Sequence, residues 1–231
     1  MRKGDRNVSD LIGLLIAYVA IPMIIAGAQL LLSAHLVDAT VARKLIHVGV
    51  SHWWLIAMRF HTSMGFALVG PVSFVLINTL VYRYHLLSAM EEPNHQKNLG
   101  TIYFPISLIV LVLMSFSGPM PKYVGGIGVL VMGYGDGLAS IIGTQFGRRR
   151  VPLFGGSKSV VGTLTMGVVS TCVVAIWVAL FHARGGDPGF VILSAVVTAL
   201  IATVLELATP FGLDNLTVPI GTALFFLAVF A

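Results

Sequence analysis

Long apolar runs separated by short polar connections occupy almost the whole chain. A helix needs about 20 apolar residues to cross the hydrocarbon core of a bilayer, and eight runs reach or approach that length, the second and fourth being short. The runs cover residues 11–32, 45–58, 63–82, 101–116, 123–143, 160–181, 190–208 and 216–230. The pattern predicts an all-α integral membrane protein, a polytopic bundle of about seven to eight transmembrane helices, in a single domain over residues 1–231.

The composition supports the same fold class. Apolar residues make up 57% of the 231 residues and charged residues only 10%, and the mean hydropathy of +0.93 lies outside the usual range of soluble domains. The net charge of +5 is modest, and the basic residues do not form the extended face of a nucleic-acid-binding protein. Because the chain has one cysteine, Cys172, it has no disulfide framework.

The polar connections between the runs alternate in character. Those after the first, third, fifth and seventh runs carry nearly all the distinctive polar residues, so these residues share one face if every run crosses the membrane. They are Asp38, Arg43, Lys44, Glu91, Glu92, Asn94, His95, Lys97, Asn98, Arg148, Arg149, Arg150, Lys158, Asp214 and Asn215. Together with Arg83, the lysines and arginines in this list make eight of the fourteen in the chain. The positive-inside rule therefore predicts that this face is cytoplasmic and that the N-terminus lies outside, although Arg2, Lys3 and Arg6 favour the opposite orientation.

One acidic residue lies deep in an apolar run. Asp136 stands late in the fifth run, where a charged side chain costs about 2.5–3.5 kcal/mol at the centre of a helix and is a functional candidate by default. Gly135 and Gly137 flank it, and glycines allow backbone N–H groups to approach an anion closely. Close packing of helices in the membrane is the alternative role for these glycines.

Four cations follow in the connection to the sixth run: Arg148, Arg149, Arg150 and Lys158. They match the roughly four negative charges of a nucleotide triphosphate, and the planar forks of arginine suit phosphate oxygens. Anchoring to anionic lipid is the alternative interpretation of such a cluster by itself.

Hydroxyl groups come directly after the last of these cations. Ser159 and Thr163 stand where the sixth helix begins, and the N–H groups of a helix N-terminus favour an anion. Magnesium binds through one or two carboxylates together with phosphate oxygens, and Asp136 supplies a carboxylate. Residues 133–163 therefore predict a site for a nucleotide triphosphate and Mg²⁺ at the edge of the membrane. Because such nucleotides are cytoplasmic, this site also favours the cytoplasmic orientation.

A second carboxylate site is predicted over residues 206–219. Glu206 ends the seventh run inside an apolar stretch, and we expect it to bind metal together with Asp136. Asp214 and Asn215 stand before the eighth run and are candidates for nucleotide binding, with a helix N-cap as the alternative.

A basic pair near the second run is a further candidate for binding phosphate. Arg43 and Lys44 precede His47, and helical spacing places Arg43 and His47 on one face. Interfacial anchoring of this pair together with Trp53 and Trp54 is the alternative.

Four motifs in series resemble the phytol kinase and dolichol kinase family. They are R-K-x-x-H at residues 43–47, G-D-G-x-A at 135–139, K-S-x-x-G-T at 158–163, and a glutamate at 206 followed by L-D-N-L-T-V-P at 213–219. The resemblance covers most of the chain from residue 41 onward. Members of this family are polytopic membrane enzymes that phosphorylate a lipid alcohol, commonly with CTP, and some act on diacylglycerol.

The resemblance implies a Mg²⁺-dependent kinase that transfers the γ-phosphate of CTP to a long-chain isoprenoid alcohol (phytol, geranylgeraniol, dolichol or another polyprenol) or to diacylglycerol. It adds Gly162 to the nucleotide-binding residues and implies that Asp136, Lys158 and Glu206 are catalytic, with Asp136 or Glu206 accepting the hydroxyl proton. One alternative is an enzyme similar to phosphatidate cytidylyltransferase, a CDP-lipid synthase, although the paired acidic signature of those enzymes is absent from the sequence. The other is a small transporter whose intramembrane carboxylates bind ions.

Overall fold

Helices account for nearly all of the secondary structure in the computed structural model of the chain. The structure describes residues 3–84, 86–87, 99–153 and 156–231. The helices and strands are α1 (Lys3–Ser33), α2 (Ala39–Ser51), α3 (Trp53–Phe60), α4 (Met64–Tyr84), α5 (Gly100–Phe116), α6 (Lys122–Leu130), a π-helix (Val131–Asp136), α7 (Gly137–Phe146), β1 (Arg150–Leu153), β2 (Gly156–Ser159), α8 (Val160–Phe181), α9 (Pro188–Ala208) and α10 (Asp214–Val229). The polar residues predicted to lie between the third and fourth runs, Glu91, Glu92, Asn94, His95, Lys97 and Asn98, lie outside the described residues.

Each of the eight predicted runs coincides with helical structure. Within the described ranges, five helical segments are long and apolar enough to cross a membrane, and α5 and α10 are shorter apolar helices. The second run forms two helices, α2 and α3, which are separated only by His52. The prediction of an all-α polytopic membrane bundle is confirmed.

Contacts divide the chain into two compact units, Met1–Lys122 and Tyr123–Ala231. The prediction of a single polytopic domain stays a prediction. The first unit holds α1 to α5, and its α1 contacts α2, α3 and α4. Asp10 of α1 is buried and accepts hydrogen bonds from the backbone N–H and the hydroxyl of Thr62, both at 2.7 Å. These bonds tie α1 to the turn that precedes α4.

In the second unit, α8 contacts α7, α9 and the π-helix, and α10 packs on α9 and the π-helix. Glycines permit the closest of these approaches. A Cβ on Gly128 would lie 2.0 Å from the carbonyl oxygen of Pro219 in α10, and a Cβ on Gly143 would lie 3.1 Å from the Cα of Gly162 in α8. Such small residues let membrane helices pack backbone to backbone, which brings the polar ends of α7, α8, α9 and α10 together.

A short antiparallel hairpin of β1 and β2 connects α7 to α8. It pairs Arg150 with Ser159 and Val151 with Lys158. The sequence indicates only a polar connection here, so the hairpin adds two strands to the predicted helices. Helix α8 begins directly after Ser159, whose hydroxyl oxygen accepts a hydrogen bond from the Gly162 N–H at 3.0 Å. Because Ser159 caps α8, the preceding Lys158 is held at the N-terminal end of this helix.

Candidate active site

A π-helix places Asp136 inside the fifth span. The segment Val131–Asp136 is π-helical between α6 and α7, and π-helical turns are rare and recur at functional sites. Asp136 is only 5% exposed. The neighbouring Gly135 packs so closely on α8 that a Cβ would lie 2.6 Å from the Ser170 hydroxyl oxygen and 2.8 Å from Met166 Sδ. A larger residue at position 135 would require the Ser170 and Met166 side chains to move, and the predicted role of Gly135 in binding an anion stays a prediction.

Glu206 and Asp214 lie on either side of the turn between α9 and α10. Glu206 stands in the last turn of α9 and is buried, while Asp214 is the first residue of α10. A backbone hydrogen bond of 3.1 Å closes the turn, and its central residues, Phe211 and Gly212, have φ angles of 59° and 77°. Positive φ at both central positions is the signature of a type I′ turn. This tight reversal brings the two carboxylates to the same end of the helix pair.

Asp136, Glu206 and Asp214 form one group of carboxylates. One oxygen from each lies within 4.8 Å of the others, and in the described part of the chain this is the group whose side chains could hold a metal ion. The sequence predicts Asp136 and Glu206 as metal ligands but assigns Asp214 to the nucleotide, so the structure adds Asp214 to the carboxylate group. The short connection between the seventh and eighth runs was the available signal, because helix ends joined by a tight turn lie side by side.

Lys158 reaches into this group of carboxylates. Its Nζ donates to the carbonyl oxygen of Glu206 at 2.8 Å and to Glu206 Oε1, and Asp214 Oδ2 lies 3.6 Å away. Burial acts to lower the pKa of Lys158, but the negative charges of Glu206 and Asp214 outweigh burial and hold that pKa above its usual range. The ammonium group is therefore charged at neutral pH, and three carboxylates share one positive charge.

The carboxylate group fits a divalent cation. Glu206 Oε2 is buried and has no hydrogen-bond partner within the described residues, which is costly for a buried acceptor. Because Mg²⁺ binds oxygens at about 2.0–2.1 Å, two opposite ligand oxygens stand about 4.2 Å apart. The three carboxylate oxygens lie within 4.8 Å of one another, so they need at most a small inward movement. A divalent cation would also balance the excess of negative charge.

Asn215 orients the Asp214 carboxylate. Its backbone N–H and its Nδ2 both donate to Asp214 Oδ1, each at 3.0 Å, and Nδ2 also donates to the Gly212 carbonyl oxygen at 3.1 Å. Helix α10 begins at Asp214 with Leu213 at the N-cap position, so the alternative in which Asp214 or Asn215 is the N-cap is wrong. These bonds hold Oδ1 and leave Oδ2 on the side of Lys158.

Several predicted nucleotide-binding residues hold the starts of helices. Ser159 is buried and caps α8 through Gly162, and the Thr163 hydroxyl donates to the Ser159 carbonyl oxygen at 3.2 Å. Gly137 begins α7, and its backbone N–H donates to carbonyl oxygens of the π-helix. Nucleotide binding by these residues stays a prediction.

The three predicted phosphate-binding arginines are exposed. Arg148 and Arg149 directly precede the hairpin, and Arg150 is the first residue of β1. Their side chains are therefore accessible to a ligand from the solvent. Phosphate binding by these arginines stays a prediction.

The basic pair Arg43 and Lys44 lies in α2, in the first unit. Trp53 and Trp54 are buried in the same unit, 1% and 0% exposed, and the indole N–H of Trp54 donates to the Lys122 carbonyl oxygen at 2.8 Å. Because buried rings cannot contact lipid headgroups, the alternative in which these tryptophans help to anchor the pair is wrong. Phosphate binding by Arg43 and Lys44 stays a prediction.

Curated relatives identify the protein family. A protein of Synechocystis sp. named phytol kinase is 34% identical over 204 residues, which are 87% of this chain and 84% of the relative. The chain belongs to the phytol kinase family. A probable chloroplastic phytol kinase of Triticum aestivum is 28% identical over 228 residues, covering 87% of this chain and 74% of the relative. A probable chloroplastic phytol kinase 1 of Oryza sativa subsp. japonica is 27% identical over 225 residues, with 87% and 70% covered.

These relatives confirm the resemblance to the phytol kinase family and support a lipid kinase. No family model and no solved structure matches the chain. The regions that match these relatives span most of the chain, so the carboxylate group belongs to a chain that resembles phytol kinases over nearly its full length.

Proposed function

We propose that the chain transfers the γ-phosphate of CTP to the hydroxyl of a long-chain isoprenoid alcohol, such as phytol, geranylgeraniol, dolichol or another polyprenol, or to that of diacylglycerol. The observation that carries the proposal is the group of buried Asp136, buried Glu206 and half-buried Asp214, with Lys158 in contact with two of these carboxylates. The name of the Synechocystis relative supports phytol as the first alcohol to test.

The three carboxylates would hold Mg²⁺, which, when bound to a nucleotide, neutralises and orients the phosphate groups. The exposed arginines Arg148, Arg149 and Arg150 would bind phosphate oxygens from the side of the hairpin. A lipid alcohol would keep its apolar tail among the helices and present only the hydroxyl at the site. The transfer mainly needs this positioning and charge balance.

The chemical step is an in-line displacement at the γ-phosphorus. The alcohol oxygen forms a bond to phosphorus, and the bond between phosphorus and the β–γ bridging oxygen breaks, which gives a lipid monophosphate and CDP. The hydroxyl proton passes to a carboxylate, and Asp136 and Glu206 are the two candidates for this general base. We place the site on the cytoplasmic side of the membrane, with the N-terminus outside, because the basic connections favour that orientation.

A radiolabel assay tests this function. Purified protein is incubated with Mg²⁺ and γ-labelled CTP or ATP across phytol, geranylgeraniol, farnesol, dolichol and diacylglycerol, and we expect label in a lipid monophosphate. Asp136→Asn should lower the rate by at least about 100-fold. The matched control Asp187→Asn changes an exposed aspartate that caps α9 and should leave the rate unchanged, since asparagine also caps helices.

Other outcomes would replace the proposal. Label that arrives only from the α position of CTP, with release of pyrophosphate, would indicate a cytidylyltransferase. An absence of nucleotide binding, together with solute uptake by vesicles that depends on Asp136 and Glu206, would indicate a transporter.

A further inference from the structure

The Lys158 ammonium group lies against two of the three carboxylates that could hold a metal ion. Its Nζ contacts Glu206 through both a side-chain and a carbonyl oxygen, and Asp214 Oδ2 completes one side of the ammonium group. Asp136 belongs to the same group of carboxylates. An ammonium group that donates to a carboxylate oxygen neutralises part of the negative charge that would attract a metal ion.

A divalent cation and the ammonium group compete for these oxygens. Magnesium binds carboxylate oxygens at short distances, so an ion held by Glu206 would lie close to the Lys158 ammonium group, and repulsion between the two cations favours movement of the ammonium. The ammonium carries one positive charge against three carboxylates, so a doubly charged ion balances the group better than lysine does.

We propose that Lys158 is the resident cation of the carboxylate group and that a divalent metal binds there by displacing its ammonium group. This inference rests on the proposed function, because it takes Asp136, Glu206 and Asp214 as the metal ligands. The Lys158 side chain is 28% exposed, whereas that of Glu206 is 7% exposed. The lysine is therefore the partner that can move toward solvent, while the glutamate stays buried.

Displacement gives Lys158 two successive roles. Without metal it compensates the buried charge of Glu206 and keeps the site folded. With metal the same ammonium becomes available to an anion, and it stands on β2, next to the strand that begins with the exposed Arg150. Metal binding would thus prepare the site for a polyphosphate.

Direct binding of Mn²⁺ to the full-length protein in detergent, without nucleotide, tests the competition. Electron paramagnetic resonance gives the Mn²⁺ dissociation constant for the wild type and for Lys158→Met, and we expect Lys158→Met to bind at least about tenfold more tightly. The matched control Lys122→Met removes a lysine whose ammonium donates to the His61 carbonyl oxygen at 2.8 Å, and it should bind like the wild type. Equal or weaker binding by Lys158→Met, or no Mn²⁺ binding by either protein, would overturn the inference.

A crystal structure of the wild type with Mn²⁺ tests displacement itself and does not depend on the stability of any variant. Anomalous scattering locates the metal, and we expect it bonded to Glu206 with Lys158 Nζ beyond hydrogen-bond distance of that carboxylate. A metal elsewhere, or Nζ still bonded to Glu206, would overturn the inference. Phosphate transfer by the same preparation with an unmoved Lys158 would leave the proposed function standing, and displacement without phosphate transfer from any nucleotide would reject the function alone.

Discussion

Removal of the Lys158 ammonium group should destabilise the protein through Glu206. The Glu206 side chain is 7% exposed and Lys158 is 28% exposed, so Lys158→Met leaves a carboxylate buried without its cation. Removing one partner of a buried ion pair costs about 3–5 kcal/mol. Because water reaches Lys158 in part and weakens the pair, we expect the lower end, about 3 kcal/mol.

Thermal unfolding in detergent with EDTA measures this loss. A change of 1 kcal/mol shifts the midpoint by about 2–4 °C in a chain of this size, so we expect Lys158→Met to unfold roughly 6–12 °C below the wild type. Lys158→Arg keeps the charge and is the matched control, with a much smaller shift. In Lys158→Met with Glu206→Gln the carboxylate charge is gone, so most of the lost stability should return.

Two outcomes would refute this reasoning. If Lys158→Met unfolds at the wild-type temperature, the pair does not compensate a buried charge. If the double variant is as unstable as Lys158→Met, the loss arises from the packing of the lysine stem and not from the charge of Glu206.

Three further predictions concern packing, the metal site and pH. Gly143→Ala should lower the unfolding midpoint, because its Cβ would lie 2.7 Å from the Ser159 hydroxyl oxygen and overpacking of about 1–3 kcal/mol exceeds the gain of about 1 kcal/mol in helix propensity. The control Gly186→Ala meets no atom within 4 Å in the described residues and should leave the midpoint unchanged. Asn215→Ala should raise the Mg²⁺ concentration for half-maximal kinase activity by about tenfold, since it loses a hydrogen bond to the neighbouring carboxylate; an unchanged requirement would contradict this orienting role. The pKa of Lys158 in the folded protein is raised above 10.5. The charged lysine therefore contributes fully to the free energy of unfolding below its pKa in the unfolded chain, and this contribution is lost as the pH rises through its pKa in the folded protein. The midpoint difference between wild type and Lys158→Met should therefore stay constant from about pH 8 to about pH 10 and shrink only above that range, and a decline between these two values would contradict the assignment.

The membrane-spanning helices could be predicted from apolar run length. An apolar run as long as the bilayer is thick must form a helix or part of a closed barrel, because every backbone polar group in the membrane needs a hydrogen-bond partner. The second run is one of the two short ones, and it corresponds to α2 and α3 on either side of His52. The length of an apolar run indicates how much of the chain lipid can cover, but it does not predict an interruption of the helix such as that at His52.

The site could be predicted in part, for a related reason. Asp136 and Glu206 are conspicuous because a carboxylate inside an apolar run is costly. Asp214 lies outside any apolar run and looks like an ordinary residue at a helix start, so only the turn with Phe211 and Gly212 reveals that it meets Glu206. The sequence also does not predict that Lys158 contacts Glu206. A lysine in the same connection as three arginines favours the interpretation of a phosphate ligand, and only the tertiary contacts show its carboxylate partner.

The π-helix determines the direction in which the Asp136 side chain leaves its own span. Gly128 and Asp136 both face α10, one against the Pro219 backbone and the other beside Asp214. Eight residues of uninterrupted α-helix rotate by two turns plus about 80°, which would aim the two positions at different neighbours. The wider π-helical turn holds one additional residue, which reduces the rotation between the two positions by about 100°. Gly128 and Asp136 therefore both face α10. Deletion of a single residue within 131–136 would thus swing the carboxylate away from its companions while leaving the hydrophobicity of the span almost untouched.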